Sequence, residues 1–326
     1  MTLTTLYKAY MVQRADLWTT ILAVALASLC YLLASKFRLV LNMRVKGVDL
    51  QEGYQSLARS SGSQDSEEKL GLRNSVESRQ IYDVFLVLDV EGTCELGSGF
   101  DYPNEIIEFP VCLMKWKNDK ERRELEVVDE FHSFVKPSWR PTLTNFCMGL
   151  TGINQAQVDN SPSFPQVLES VSQFLVKHGV LDADYHEPLL RFCWCSDGPY
   201  DVRDFVAKQC FISKIAIPAW LRGDVLDVKK MVISWFIRQN YRGRKMKTML
   251  GRIPLRPSLN ISSQLRVLGL PAFQGRKHSG IDDARNIARI VSECAHRNIC
   301  LQPNTHIDPN RRWSWMGKSG QILLQS

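Results

Sequence analysis

The sequence predicts an α/β domain with a mixed central sheet flanked by helices, preceded by an apolar helix and a flexible tether. Three observations carry this. The run Phe85-Leu86-Val87-Leu88 is apolar without a break, as in a strand buried on both faces. Strand-like segments come first and helix-like segments dominate afterwards, the order expected when helices pack on a sheet. A polar, Ser-rich stretch separates an apolar N-terminal segment from everything that looks folded.

Residues 1–16 form an N-terminal segment. No charged residue occurs from Leu17 to Ser35, a length of roughly 28 Å as a helix at about 1.5 Å per residue, close to a bilayer's apolar thickness. Lys36, Arg38, Arg44 and Lys46 come after it, against Lys8, Arg14 and the offsetting Asp16 before it. The positive-inside rule then puts the C-terminal side in the cytosol. A cleaved signal peptide competes with this reading, but the run is long for one. So does a buried soluble helix, since Thr19, Thr20 and Ser28 dilute the apolar character, and an organellar anchor is compatible with the flanks. The expectation is an anchor at 17–35 with a membrane as partner and the folded domain facing the cytosol; without the anchor the chain would be cytoplasmic. Residues 36–80 read as a flexible linker.

The folded domain is expected over 81–300, with 301–326 a C-terminal tail in which Trp313 and Trp315 have no assigned role. Asp83–Val90, Glu105–Trp116 and Val127–Val135 read as strands joined by short links, hence antiparallel or mixed. Thr142–Met148 and Ser163–His178 read as helices, the second with Ser163 as N-cap and Pro165 in its first turn. Leu189–Trp194 reads as another buried strand. Tyr200–Cys210, Val225–Arg238, Ser258–Leu268 and Ile281–His296 complete a helical set.

Nine cysteines are scattered without zinc-knuckle spacing, and Cys193 and Cys195 form a CxC rather than a CxxC. Reduced thiols are therefore expected, with neither structural zinc nor disulfides. The net charge of +7 is unevenly spread. No acidic residue lies between Asp227 and Asp282, where twelve lysines and arginines stand, among them Arg242, Arg244, Lys245 and Lys247. One sign of charge over such a length points to a polyanion partner, although a solvated loop or a face towards anionic lipid would share the pattern.

Five residues draw attention together: Asp89 and Glu91 in LDVEGT, Asp201 in SDGPYD, and His278 and Asp283 in HSGIDD. Alternate residues on a strand share a face, so Asp89 and Glu91 project together. Each motif alone is weak. A DxE ends many surface strands, Asp283 could simply cap its helix, and His278 could be an ordinary loop histidine. In combination, four carboxylates and an imidazole are the minimum needed to hold two divalent cations and activate a water against a phosphodiester. All-oxygen ligands favour Mg²⁺, with Mn²⁺ as the alternative.

These blocks resemble the DEDDh branch of 3′-to-5′ exonucleases, which have an RNase H-like fold, and within it the Eri (enhanced RNA interference) exoribonucleases. The resemblance runs through LDVEGTCE at 88–95, NEIIEFPVCLM at 104–114, FHSFVKP at 131–137, LTGINQAQVDNSPSF at 150–164, SDGPYD at 196–201 and HSGIDDARNIARIV at 278–291. It implies that Asp89, Glu91, Asp201 and Asp283 are the metal ligands and that His278 is the general base, with Asp197 the runner-up for the second-motif acid. It also implies that the terminal nucleotide is held near Val90, Gly92, Thr93 and Tyr200. At 90, 92 and 200 this chain departs from the more usual phenylalanine, alanine or threonine, and tryptophan or phenylalanine. The implied activity is removal of nucleoside 5′-monophosphates from RNA 3′ ends, single-stranded or overhanging a stem–loop. A single-stranded DNA exonuclease and an inactive RNA-binding adaptor of the same fold are the alternatives.

Overall fold

The computed structural model describes residues 80–184, 187–241 and 259–323, which belong to one compact unit, Ser75–Ser326. The expected anchor at 17–35, the linker before residue 80 and the basic residues Arg242, Arg244, Lys245 and Lys247 lie outside the described residues. No helix among the described residues is long and apolar enough to cross a membrane.

A six-stranded mixed sheet forms the centre. Its strands are β1 (Val84–Leu88), β2 (Glu91–Gly92), β3 (Ile106–Trp116), β4 (Leu125–Phe134), β5 (Phe192–Ser196) and β6 (Leu226–Asp227). The order is β2-β3-β1-β5-β6, with β4 also paired to β3. The first three long strands pair antiparallel, whereas β5 and β6 join β1 in parallel. All five residues of β1 are buried, as an uninterrupted apolar run in the middle of a sheet requires.

The alternation of β1 sorts the core into two layers. Val84, Leu86 and Leu88 join Val167, Leu168, Val171 and Leu175 of the helix Phe164–Lys177. Phe85 and Val87 join the opposite cluster, with Leu265 and Leu268, and with Ile281, Ala284, Ile287 and Val291. Helices thus cover both faces of the sheet. We number the α-helices α1 (Asn145–Thr151), α2 (Gln155–Asp159), α3 (Phe164–Lys177), α4 (Ala207–Ile212), α5 (Val228–Tyr241), α6 (Ile261–Val267) and α7 (Gly280–His296). In α3 the Ser163–Gln166 capping box and Pro165 in the first turn sit where the sequence puts them.

Several boundaries differ from expectation, each for a local reason. The expected strand at Leu189–Trp194 starts later because the Leu189 N–H donates to the Val180 carbonyl at 2.9 Å. It also runs on to Ser196, so Asp197 stands directly after its end. Helix α1 starts beyond Thr142 because the Thr144 hydroxyl caps it, accepting from the Cys147 N–H at 3.0 Å. The segment Tyr200–Cys210 begins as a π-turn over Asp201–Val206 before α4, with Asp201 and Asp204 among its buried residues. Such wide turns recur at functional sites. Leu226 and Asp227 pair with β5 instead of opening a helix.

The tail is not loose over its described part. Trp313 and Trp315 are buried with Ile212 and Met316, and Arg311 pairs with the buried Asp204 at 2.9 Å.

The start of α7 is the tightest junction. A Cβ built on Gly280 would lie 2.5 Å from the Asp89 carbonyl oxygen, so only glycine lets the helix end meet the end of β1. Glu108 then accepts the N–H groups of Gly280 and Ile281 at 2.9 and 3.1 Å, a carboxylate satisfying donors at a helix N-terminus. Gly280→Ala is expected to cost about 1–3 kcal/mol, as overpacking does, and to lower the unfolding midpoint in a denaturant titration. An unchanged midpoint would mean that the junction can yield.

Candidate active site

Asp89 and Glu91 continue the alternation of β1 onto the face that carries Phe85 and Val87, the side covered by α7. Helix α7 brings Asp283 to the same place in its first turn. Carboxylate oxygens of Asp89, Glu91 and Asp283 lie within 4.8 Å of one another. A cavity of about 270 Å³ opens beside them, lined by Asp89, Asp197, Lys277, His278 and Asp283 with Asn260, Ile261, Ser262 and Phe273.

His278 is exposed at this cavity, in the left-handed region at φ 58°. Its backbone N–H donates to Asp283 Oδ2 at 2.7 Å, and its carbonyl accepts from Arg276 Nη1 at 3.1 Å. A non-glycine residue rarely adopts this backbone, so the loop is fixed by its partners. Asp201 stands one step apart from the three clustered acids. Its Oδ1 accepts the Val90 N–H at 2.9 Å across 111 residues, tying the π-turn to the end of β1.

The electrostatics are those of acids crowded together. Burial, then the charges of Asp201, Asp283, Glu91 and Asp197, hold Asp89 well above the usual carboxylate range. Burial and the facing Glu108 push Glu91 up to about 9; the two are partners across the β2–β3 ladder. Burial raises Asp201 to about 7 against the opposing Val90 N–H. Burial raises Asp283 to about 6, opposed by the His278 N–H. The neighbours that act on Asp89 are other acids, and all the donors are oxygens. This donor set fits a hard divalent cation.

The expected nucleotide cradle is only partly free. The Val90 N–H is taken by Asp201. Thr93 is spent inside the protein: its N–H donates to the Glu105 carbonyl at 2.7 Å and its hydroxyl accepts the Glu105 N–H at 2.9 Å. Those two backbone amides therefore cannot hold a nucleotide without breaking internal bonds. Gly92 has a packing reason, because a Cβ there would meet the Phe205 ring at 2.6 Å. Tyr200, 38% exposed, remains at the surface and stacks on Phe100 with centroids 4.8 Å apart. The loop carrying Phe100 is pinned from beneath by the fully buried Lys208, which donates to the Phe100 carbonyl, to the Tyr102 carbonyl at 2.8 Å and to Asn104 Oδ1 at 3.0 Å.

Sequence reasoning gave no role to Glu108 or Phe100. Glu108 was signalled only by being an acid inside the apolar run of β3, where it is 2% exposed.

With this geometry in place, the exonuclease (RNase_T) family profile matches residues 86–291. The chain belongs to the exonuclease family. This exonuclease is 36% identical over 266 residues to the Schizosaccharomyces pombe protein named 3′-5′ exonuclease eri1, covering 77% of this chain and 79% of that one. It is 35% identical to the mouse 3′-5′ exoribonuclease 1, over 74% of this chain and 61% of the mouse protein. Among solved structures it resembles the nuclease domain of 3′hExo, a DEDDh family member bound to rAMP. There the TM-score is 0.54 at 30% identity, over 69% of this chain and 98% of that one. The RNase H-like exonuclease fold and the Eri group of DEDDh nucleases are thereby its own.

The crowded acids of the exonuclease have a consequence for stability. Glu91 at about 9, Asp201 at about 7 and Asp283 at about 6 all lie above the ordinary carboxylate value of about 4. The folded protein keeps protons that the unfolded chain has lost. Stability from these groups is full below about pH 4 and drains away as pH rises through the folded values. In chelator, the thermal midpoint is expected to fall from about pH 5 to about pH 9, less steeply in Glu91→Gln, and to recover with Mg²⁺. Identical slopes with chelator and with Mg²⁺ would contradict a cation site here.

Proposed function

We propose that this exonuclease is a metal-dependent 3′-to-5′ exoribonuclease that releases nucleoside 5′-monophosphates. The observation that carries this is the convergence of Asp89, Glu91 and Asp283 within 4.8 Å, with His278 lining the same cavity. The name of the S. pombe relative and that of the mouse relative support the reaction, the second also the choice of RNA. In this reading Asp89, Glu91, Asp201 and Asp283 hold two divalent ions, Mg²⁺ or in its place Mn²⁺. Bound there, such ions would activate the attacking water and offset negative charge on the phosphodiester and the leaving 3′ oxygen.

The remaining work falls to the chain itself. His278 stands at the cavity as an imidazole able to accept the water's proton. Its position is fixed through the backbone bond to Asp283, so the base and one ligand move as a unit. The stacked pair Tyr200–Phe100, with the Arg203 guanidinium over the Tyr200 ring, would flank the terminal base, and stacking of that kind tolerates any sequence. Arg242, Arg244, Lys245 and Lys247 would add phosphate contacts further along the strand. Substrates are RNA 3′ ends, single-stranded or overhanging a stem–loop. A single-stranded DNA activity is the second reading, since the same acids serve either sugar and only a 2′-hydroxyl contact separates them.

The test is direct. End-labelled RNA and DNA are incubated with the full chain, with and without Mg²⁺, and the products are mapped. RNA should shorten from its 3′ end only with the metal. Asp89→Ala should lose nearly all hydrolysis while remaining folded, because removing one crowded acid relieves repulsion. His278→Ala should lower turnover roughly 10²–10⁴-fold, the usual range for a positioned proton acceptor, with RNA affinity little changed. Substantial Mg²⁺-dependent trimming by Asp89→Ala would sink the assignment, and equal losses of binding and turnover in His278→Ala would make that residue a phosphate contact.

A further inference from the structure

An active site walled by acids has to attract a polyanion. The five-acid neighbourhood of Asp89, Glu91, Asp201, Asp283 and Asp197 repels phosphate, and the bound cations are needed for the reacting group itself. A fixed positive charge at the wall would favour the arriving strand. Lys229, in the first turn of α5, is such a charge. Its Nζ lies 2.9 Å from Asp197 Oδ2 and 3.3 Å from the Asp197 carbonyl oxygen, and Asp197 lines the catalytic cavity.

Three features separate this lysine from an ordinary surface ion pair. An ammonium has three donors, and Asp197 occupies two of them, which leaves one for a third acceptor. The side chain is 31% exposed, against 13% for Asp197. Asp197 does not depend on Lys229 to stay in place, because the fully buried Gln264 donates from Nε2 to Asp197 Oδ1 at 2.5 Å. Lys229 is also the first cation of the stretch between Asp227 and Asp282 that contains no acid. Lys277 is the ammonium among the residues lining this cavity, and Lys229 reaches it through its ion pair with Asp197.

Resting on the exoribonuclease reading above, we propose that Lys229 is a substrate-binding residue whose free donor takes a phosphodiester oxygen of the RNA next to the cleaved linkage. Asp197 is its positioning residue, holding the ammonium beside the cavity, and Gln264 in turn holds Asp197.

The obvious rival is that Lys229 only neutralises Asp197, and a double substitution separates the two. Binding of a short labelled single-stranded RNA is measured against salt in a Glu91→Gln background with Mg²⁺, so that the RNA is not consumed. Lys229→Gln should weaken binding about tenfold, the worth of one charge-assisted hydrogen bond. It should also flatten the slope of log affinity against log salt by about 0.7, one phosphate contact on a single strand. Lys229→Arg should retain the slope. Asp197→Asn/Lys229→Gln should stay as weak as Lys229→Gln. Restoration of binding in the double variant, or an unchanged slope in Lys229→Gln, would overturn the proposal. Failure of the wild-type chain to trim RNA at all would instead overturn the exoribonuclease reading.

Discussion

The structure turns on mutual repulsion among buried carboxylates. Asp89, Glu91 and Asp283 are brought within 4.8 Å of one another, and Asp201, Asp197 and Glu108 add their charges at close range. No small domain gains stability from such an arrangement by itself. Asp89, Glu91, Asp201 and Asp283 instead rise above the ordinary carboxylate range, the least costly response of desolvated charges crowded together. The fold must therefore supply enough binding energy elsewhere to keep the acids together. The two apolar layers on either face of the sheet, each threaded through β1, do that.

The site is also assembled from widely separated segments, and the bonds between them explain its rigidity. Asp201 is tied to Val90 and His278 to Asp283. Glu108 closes the end of α7 over the end of β1. The glycine at 280 is needed because backbone passes backbone there. These supports touch no substrate, yet they decide whether three carboxylates and an imidazole meet at one cavity. A buried acid such as Glu108 therefore has a structural purpose beside a catalytic cluster, and its negative charge is part of what raises Glu91.

The neighbouring surface has its own logic. Lys208 is fully buried, and burial lowers it to about 8. Three acceptors from the loop before β3 surround it and tie down the loop that carries the exposed Phe100. Phe100 and Tyr200 then present a stacked pair beside Asp201.

Much of this was legible in the residues alone. Unbroken apolar β1 announced a central strand, and strand periodicity put Asp89 and Glu91 on one face. The wording of the later blocks supplied Asp201, His278 and Asp283. The Ser163–Gln166 cap and Pro165 marked α3 because such signals are local. What local rules cannot express is which donor a distant acid will meet. The capture of the Val90 and Thr93 amides by Asp201 and Glu105, the capping of α7 by Glu108 and the packing of Phe205 on Gly92 all join residues far apart in sequence. The same holds for Trp313 and Trp315, which looked like part of a tail and are buried against Ile212. Chemistry-bearing residue types were written in the sequence; their partners were set by tertiary packing, because a hydrogen bond or a steric contact depends on position in space and not on order along the chain.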